Sequence, residues 1–409
     1  MKIKSIHARW ILDSRGTPTT EVDLSTVRGA VTASVPSGAS KGKHEAIEIR
    51  DNANAFAGKG VNTVVANINN KIAKEIVGMD CCKQREIDEK LIAMDGTSNK
   101  SKLGANAILS VSMAVARAAA FSQGIPLYRW IAKLAGSGSK LNLPHPFANV
   151  LNGGVHAANE LDIQEFMIVP RERDFAESTR IVSETYNSLK KILHEKYGVA
   201  STNVGDEGGF APPIKTTAEA LSVLEKAVKV AGYQDRVDLA IDCAASEFFN
   251  GKDYLMERQR RTTGQLLEFY NRLLRQHKMV SIEDPFAEDD WQGFTALVKA
   301  VGKNIQIVGD DLLVTNPNRI RKAIELRAAN CLLLKINQIG TLTEALEAAK
   351  LAKANHWRVM VSHRSGETED DFIADLATGL NTNQIKLGAP CRGERTAKYN
   401  RLLRIEEDV

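Results

Sequence analysis

The chain has few cysteines for its 409 residues, and their arrangement excludes two common kinds of site. There are five, an odd number; none is spaced as C-x-x-C, and Cys81 and Cys82 are adjacent. This arrangement fits neither a disulfide framework nor a zinc knuckle. We therefore expect reduced thiols and a cytoplasmic protein.

A strong charge imbalance and a long hydrophobic run are also missing. The formal net charge is only +4, and the Lys and Arg residues are spread along the chain, so a nucleic-acid groove is not indicated. No basic segment followed by an apolar one opens the sequence, and the most apolar stretch, 105–121, contains serines and Arg117. We expect a buried helix there and no membrane span.

The length is typical of two domains, and the first 135 residues group their strands before their helices. Three strand-like segments with turn residues between them lie within residues 6–36, and helical patterns follow within 61–121. This order predicts an N-terminal α+β domain over residues 1–135, with an antiparallel meander. The stretch GSGSK at 136–140 predicts a flexible joint.

Residues 141–409 alternate between short apolar runs and helical patterns. Helices are indicated by Asn316 and Pro317 as N-cap and first residue, and by Thr341 and Glu344 at capping-box spacing. At least six strands that are apolar throughout indicate a parallel sheet covered on both faces. No G-x-G-x-x-G follows a strand to favour a doubly wound sheet. The pattern predicts a TIM-like α/β barrel, in which the chemistry lies at the C-terminal ends of the strands.

The residues at those strand ends are three acids followed by three bases. In chain order they are Asp242, Glu283, Asp310, Lys335, His363 and Lys386. A barrel would bring them to one mouth. Three carboxylates without a Cys or His cluster fit a hard cation with oxygen ligands, for which Mg²⁺ is the natural choice. A single acid at a strand end is more often a helix cap, but three in succession are harder to explain in that way.

The run SIEDPFAEDDW (281–291) contains both kinds of acid. Glu283 ends an apolar strand, and we assign it to the metal. Asp284 would begin the exit from the strand. The acids at 288–290 are expected to be loop residues or to cap the helix that Trp291 enters.

Lys335 follows a wholly apolar strand, and lysine is seldom buried without a reason. It could form a structural ion pair with one of the acids. Alternatively, a nearby metal and a second lysine would lower its pKa toward neutrality, and its amine would act as a general base. A lysine base with one or two Mg²⁺ ions is an arrangement used in the enolase superfamily.

Several blocks of the sequence resemble signature segments of the enolase family. They include DSRGTPT (13–19), VPSGAS (35–40), NVLNGGVHA (149–157), NVGDEGG (203–209), SIEDPFAEDDW (281–291) and VSHRSGETED (361–370). The match covers nearly the whole chain in the right order. It implies an enolase-type barrel with an N-terminal α+β domain, and a glycolytic and gluconeogenic hydro-lyase that interconverts 2-phospho-D-glycerate and phosphoenolpyruvate.

The resemblance also implies site residues. A first Mg²⁺ would be held by Asp242, Glu283 and Asp310, with Asp311 beside them; a second, binding with substrate, would involve Ser40. Lys335 would take the C2 proton, and Glu207, assisted by Glu165, would protonate the leaving 3-hydroxyl. The catalytic set would be Glu207, Lys335, Glu165, His363 and His156, the last on a loop that closes over the substrate. The substrate would contact Gln164, Lys335, Arg364, Ser365, Lys386 and His156, with Arg364 and Ser365 at its phosphate and Lys386 at its carboxylate.

Two positions bear on loop charge and assembly. Lys41 stands where the family usually has Thr, and its charge beside Ser40 puts loop closure and second-metal affinity in question. Glu21 and Arg404 match the family's ion pair between subunits, which predicts a homodimer, with an octamer assembled from dimers left open.

Three other functions are open to a chain of this kind. It could be another superfamily member acting on acid sugars, a binding or scaffold protein (surface plasminogen binding, or a place in an RNA-degrading assembly), or a barrel without activity. Lys335, the HRSGE block and the GDEGG acid argue against the first, and the filled catalytic positions argue against the last.

Overall fold

The computed structural model describes residues 1–38, 41–157 and 159–409. The strands are β1 (Ile3–Leu12), β2 (Pro18–Thr26), β3 (Gly29–Ser34), β4 (His145–Asn152), β5 (Glu165–Pro170), β6 (Val237–Asp242), β7 (Tyr254–Met256), β8 (Gln259–Arg261), β9 (Met279–Glu283), β10 (Gln306–Gly309), β11 (Cys331–Leu334), β12 (Arg358–Ser362) and β13 (Asn383–Lys386). The α-helices are α1 (Asn62–Asn67), α2 (Ala73–Ile76), α3 (Gln84–Asp95), α4 (Ala105–Gln123), α5 (Leu127–Ala135), α6 (Phe175–Tyr197), α7 (Thr217–Val230), α8 (Thr263–Gln276), α9 (Trp291–Val301), α10 (Pro317–Leu326), α11 (Ile336–Ile339), α12 (Leu342–Ala354), α13 (Phe372–Leu380) and α14 (Gly393–Glu406). A π-helical turn, Ile68–Ile72, joins α1 to α2.

The N-terminal part is the predicted meander followed by helices. β1, β2 and β3 pair antiparallel in that order, and Val22 and Leu24 on β2 are fully buried. Helix α4 packs on β2 and β3. Within the described residues, α4 is the one helix long and apolar enough to cross a membrane, but 89% of that segment is buried inside the fold. This burial is typical of the core helix that the sequence predicts.

The C-terminal part is a closed eight-stranded barrel. The strands follow one another in the order β4, β5, β6, β9, β10, β11, β12, β13, and β13 pairs with β4. β5 runs antiparallel to both its neighbours, which departs from the parallel barrel predicted. In the connection between β4 and β5, the described residues 153–157 and 159–164 contain a three-residue 3₁₀ turn and no long helix to carry the chain back along the barrel. β5 therefore pairs with β4 as a hairpin.

Alternation along the strands separates the barrel interior from the surrounding helical layer. On β11, Leu332 and Leu334 join the large core that includes the helices, whereas Cys331 and Leu333 belong to a separate buried cluster. That cluster draws its residues from six barrel strands and lies inside the barrel: Phe147, Met167, Val169, Ala240, Val308, Cys331, Leu333 and Met360. Because side chains alternate with a period of two, Lys335 falls on the same inward face as Leu333.

The helix starts expected from sequence are largely as predicted. Asn316 accepts a hydrogen bond from the Asn318 amide at 2.9 Å, and Pro317 is the first residue of α10. Thr341 caps α12 by accepting from the Glu344 amide at 3.2 Å. The Glu344 carboxylate accepts the Thr341 hydroxyl and the Lys100 ammonium, which differs from the reciprocal capping box.

Direct contacts tie the N-terminal part to the barrel near its mouth. Ser37 and Gly366 exchange backbone hydrogen bonds of 2.7 and 2.9 Å. Arg117 on α4 forms ion pairs with Asp370 and Asp371 at 2.8 and 2.9 Å. Residues 136–140 follow α5, and the domain boundary there stays a prediction.

The inward cluster should make a large contribution to stability. Leu333 is fully buried, and Leu333→Ala is expected to lower the free energy of unfolding by about 2–5 kcal/mol through lost burial and a residual cavity. Leu255→Ala is the matched control, because Leu255 is 50% exposed and should cost less than about 1 kcal/mol. Denaturant unfolding of both variants checks this; equal shifts of the midpoint would contradict the placement of Leu333.

Candidate active site

The six strand-end residues lie at one mouth of the barrel, as predicted. Asp242, Glu283 and Lys386 are the last residues of β6, β9 and β13. Asp310, Lys335 and His363 directly follow β10, β11 and β12. Reversal of β5 brings its first residue, Glu165, to the same end, paired in register with Asp242.

Lys386 is the positive centre of this mouth. Its Nζ atom lies 2.8 Å from Asp242 Oδ2, 2.8 Å from Glu283 Oε1 and 3.2 Å from Glu165 Oε1. Burial opposes the charge on Lys386, but the three carboxylates outweigh it and hold its pKa well above the usual value. Burial and the neighbouring Asp242 raise the pKa of Glu283 well above its usual value.

Lys335 contacts Asp310 through its Nζ atom, so the structural ion pair considered from the sequence is formed here. Burial lowers the pKa of Lys335, but the Asp310 carboxylate more than offsets it, and the net shift is upward. This is opposite to the lowering expected with a metal nearby. Gln338 holds the other oxygen of Asp310, with Nε2 donating to Oδ1 at 2.8 Å.

Asp284 has a structural role that the sequence did not indicate. Its side chain is buried and accepts the backbone amides of Asp310 and Asp311 at 2.9 and 2.7 Å. Burial and the two neighbouring acids raise its pKa well above the usual value. Asp284 thereby fixes the backbone that carries the predicted metal ligand Asp310. The only sequence signal was its place after Glu283, which also suited an ordinary loop residue.

The remaining acids of SIEDPFAEDDW behave as predicted. Asp290 caps α9 by accepting from the Gly293 amide at 2.9 Å. Asp289 forms ion pairs with Lys43, His44 and Arg319 at distances of 2.6–3.3 Å.

Glu165 and Glu207 form a buried carboxyl pair with different environments. Burial and then the negative charge of Glu207 raise the pKa of Glu165 well above its usual value. Burial would also raise that of Glu207, but His363, His156 and Arg395 outweigh it, and its pKa lies well below the usual value. Asn149 adds to this by donating to Glu207 Oε2 at 2.9 Å. Of the two carboxyls, Glu165 is therefore the one whose surroundings favour the protonated form.

The two predicted histidines face this carboxyl pair. His156 Nδ1 lies 3.7 Å from Glu207 Oε1 and 3.9 Å from Glu165 Oε1. Arg395 Nη1 donates to His363 Nδ1 at 2.7 Å, which leaves the proton of neutral His363 on Nε2, 3.4 Å from Glu207 Oε2. Burial lowers the pKa of His363 to about 3, and the neighbouring Glu207 carboxylate opposes this shift without reversing it.

Arg395 was not predicted, although it is fully buried and supports the mouth from behind. Its guanidinium donates to the backbone carbonyls of Asp206, Arg364 and Ser365 as well as to His363. It thus links the loop that carries Glu207 to the loop that carries the predicted phosphate residues. In the sequence it lies in a highly charged segment that resembles an exposed helix.

Arg364 also lies at the mouth, where it meets a residue from the N-terminal part. Its Nη1 and Nη2 atoms contact the two carboxylate oxygens of Glu45 at 3.1 and 3.0 Å. Ser365 is buried beside it.

Ser40, the predicted residue of the second metal site, lies outside the described residues. Lys41 forms an ion pair with Glu48 at 2.7 Å, so its positive charge is balanced within the same segment.

The cavity at the mouth is small in this structure, with a volume of about 20 Å³, enough for about one water molecule. Its lining is His156, Gln164, Glu165, Glu207, Lys335, Ser362, His363, Arg364, Ser365 and Lys386. A larger cavity of about 660 Å³ lies near the start of the strands, lined by residues such as His145, Gln306 and Trp357. We assign the chemistry to the smaller one, because it brings the acids, bases and cationic groups together.

The carboxylates of the mouth fit a divalent cation. Asp242, Glu283 and Asp310 offer the oxygen ligands that hard cations prefer. The Oε2 atom of Glu283 is buried and has no hydrogen-bond partner among the described residues. The groups at the mouth whose potential ligand atoms all lie within 4.8 Å of one another differ from this predicted set: Asp284, Asp310 and Asp311, and His156, Glu165 and Glu207. The mouth therefore contains acidic clusters that could hold a metal.

Comparison with known proteins gives matches over almost the full length. A family model described as the enolase C-terminal TIM barrel domain matches residues 140–409, and one described as the enolase N-terminal domain matches residues 3–131.

Individual relatives agree with these domain matches. The enolase of Thermococcus kodakarensis is 55% identical over 413 residues and that of Pyrococcus furiosus is 56% identical over 414 residues. Enolase B of Dictyostelium discoideum is 53% identical over 423 residues. Each comparison covers 100% of this chain and 95% of the relative. The chain belongs to the enolase family, lyases that interconvert 2-phospho-D-glycerate and phosphoenolpyruvate.

Proposed function

We propose that this dehydration uses Lys335 as the base and the Glu165–Glu207 pair as the acid. The observation that carries the proposal is that these three side chains line one cavity at the barrel mouth. A base and an acid on the same small cavity are what removal of a C2 proton and departure of a 3-hydroxyl require.

We further propose a site for two Mg²⁺ ions. Asp242, Glu283 and Asp310 would hold the first, and the second would bind with the substrate near Ser40. When bound, the ions would stabilise the negative charge that develops on the substrate carboxylate as the proton leaves. The buried oxygen of Glu283 that lacks a partner among the described residues supports this donor set, and Asp310 also belongs to a group of carboxylates close enough together to hold a metal.

In the first step, the Lys335 amine would accept the C2 proton, and the electron pair of the C–H bond would enter the substrate as an enolate. Lys335 must be uncharged to do this. Its present contact with Asp310 favours the ammonium form, so the negative charge of Asp310 has to be engaged elsewhere in the reacting complex.

In the second step, the enolate electrons would expel the 3-hydroxyl, which leaves as water after taking a proton from Glu207. The surroundings favour a proton on Glu165 over Glu207, so a proton held there would have to reach Glu207 before the hydroxyl leaves. His156 is suited to assist that transfer, because its Nδ1 atom lies within 4 Å of both carboxylates. The Nε2–H group of His363 faces the same oxygen of Glu207 that Asn149 holds.

Substrate binding would use the cationic groups of the mouth. Arg364 and Ser365 would bind the phosphate, for which the planar guanidinium is well shaped. Lys386 would bind the carboxylate, and Gln164 lines the same cavity. Since the cavity has only about 20 Å³, binding requires the present lysine–carboxylate contacts to open.

We also propose that the protein is a homodimer in the cytoplasm, with an octamer assembled from dimers as the larger alternative. Arg404 is exposed near the end of α14, where a second subunit could reach it. Glu21 accepts from Arg9 at 2.6 Å within its own chain, so an intersubunit pair would extend an existing ionic group.

Sedimentation of the purified protein should show a dimer, and Arg404→Glu should weaken it. A monomer at micromolar concentration would contradict the proposed dimer. Activity confined to the membrane fraction of cells would contradict the proposed location.

Separating proton exchange from dehydration tests the two catalytic roles. Lys335→Ala should slow exchange of the substrate C2 proton with solvent by about 10³-fold, because the base is removed. Glu207→Gln should slow dehydration by about 10²-fold or more and spare that exchange to a greater degree. Exchange can be followed by NMR in D₂O, with Lys353→Ala as the control at the opposite end of the barrel. Parent-like exchange in Lys335→Ala would show that another group is the base.

Metal dependence can be read from the ultraviolet absorbance of phosphoenolpyruvate. EDTA should abolish its formation from 2-phosphoglycerate, and added Mg²⁺ should restore it. Asp242→Asn should raise the Mg²⁺ concentration needed by about tenfold or more, because a charged ligand is lost. Asp238→Asn, at the other end of the same strand, is the matched control. Full activity in EDTA would rule out the metal-dependent mechanism.

A further inference from the structure

Glu45 is bound to the arginine that would receive the substrate phosphate. The two side chains meet as a bidentate pair, with distances of 3.1 Å from Nη1 to Oε2 and 3.0 Å from Nη2 to Oε1. Only 4% of the Arg364 side chain and 9% of the Glu45 side chain are exposed. This pair therefore differs from the weak ion pairs found on protein surfaces.

Other donors hold the Glu45 carboxylate in place. The Gly42 amide donates to its Oε1 atom at 3.2 Å, and Gln338 Nε2 lies 3.4 Å from the same oxygen. Gln338 also donates to Asp310 at 2.8 Å. Glu45 is thus connected both to the segment that follows Ser40 and to one of the proposed metal ligands.

A carboxylate and a phosphate bind an arginine in the same way, through two oxygens facing the fork of N–H groups. A phosphate that arrives at Arg364 must therefore share the guanidinium with a carboxylate that already accepts from both terminal nitrogens; Nη1 also donates to Asn337 Oδ1 at 3.0 Å. We propose that Glu45 is a built-in competitor for the phosphate site. This inference rests on the proposed role of Arg364 in phosphate binding.

The pairing of Glu45 with Arg364 has two consequences for the site. It keeps a buried guanidinium paired when no substrate is present, because a buried charge without a partner is costly. It also weakens the binding of both substrate and product phosphates, which limits how tightly the site retains either one. Arg364 thus provides the affinity for phosphate, and Glu45 lowers it.

The test is the effect of Glu45→Gln on inhibition by inorganic phosphate. Removal of the like charge should lower the inhibition constant of phosphate against 2-phosphoglycerate, and the KM, by about fivefold, after allowance for screening. Glu48→Gln is the matched control, because it removes one negative charge from the same segment but Glu48 pairs with Lys41 and Arg50. Glu45→Asp keeps the charge and should return the inhibition constant toward the parent value.

One result would overturn the proposal, and a different one would overturn the phosphate site on which it rests. An unchanged or raised inhibition constant in Glu45→Gln, with a thermal midpoint equal to that of the parent, would mean that Glu45 does not compete with phosphate. Failure of the proposed phosphate site is recognised separately: Arg364→Gln should weaken phosphate inhibition strongly, and an unchanged constant in that variant would show that phosphate binds elsewhere.

Discussion

The barrel mouth depends on a buried lysine placed among carboxylates. Lys386 contacts Asp242, Glu283 and Glu165, and each of these four side chains is at most 4% exposed. Ions removed from water are stable only when opposite charges surround them closely. The acids at this end of the barrel still exceed what the lysines neutralise, since burial and mutual repulsion raise the pKa of Glu283, Asp284 and Asp311. This excess of negative charge explains why the mouth suits a divalent cation.

The interior of the barrel determines which charges enter the mouth. On β6, β10 and β11 the inward residue two positions before the acid or lysine of the mouth is apolar: Ala240, Val308 or Leu333. Along these three strands, apolar packing inside the barrel therefore leads directly to the charged groups at the mouth. The floor made by residues such as Leu333 also excludes water from beneath the site, which strengthens the electrostatic interactions above it.

Much of this arrangement was predictable because it is periodic or local. Apolar runs that end in a charged residue located all six strand-end groups, and capping residues located several helices. The direction of β5 was missed, because an apolar strand reads the same whichever way it runs. Asp284, Arg395 and Glu45 were missed for another reason: each acts on residues distant in sequence, and no spacing records such contacts. The resemblance to enolases named Glu207, His156 and Gln164, which periodicity alone would not have found.

The chain of the barrel falls into two stretches with different proposed roles, and the first of them begins at the reversed strand β5. Glu165 and Glu207 belong to the stretch from β5 to the start of β6, whereas the base and the three proposed ligands of the first metal lie from the end of β6 onward. The half of the reaction that removes the hydroxyl is thus encoded in a segment of its own, inserted between parallel strands. Such a division allows the fate of the enolate to diverge in evolution, or by design, while the machinery that forms it is kept.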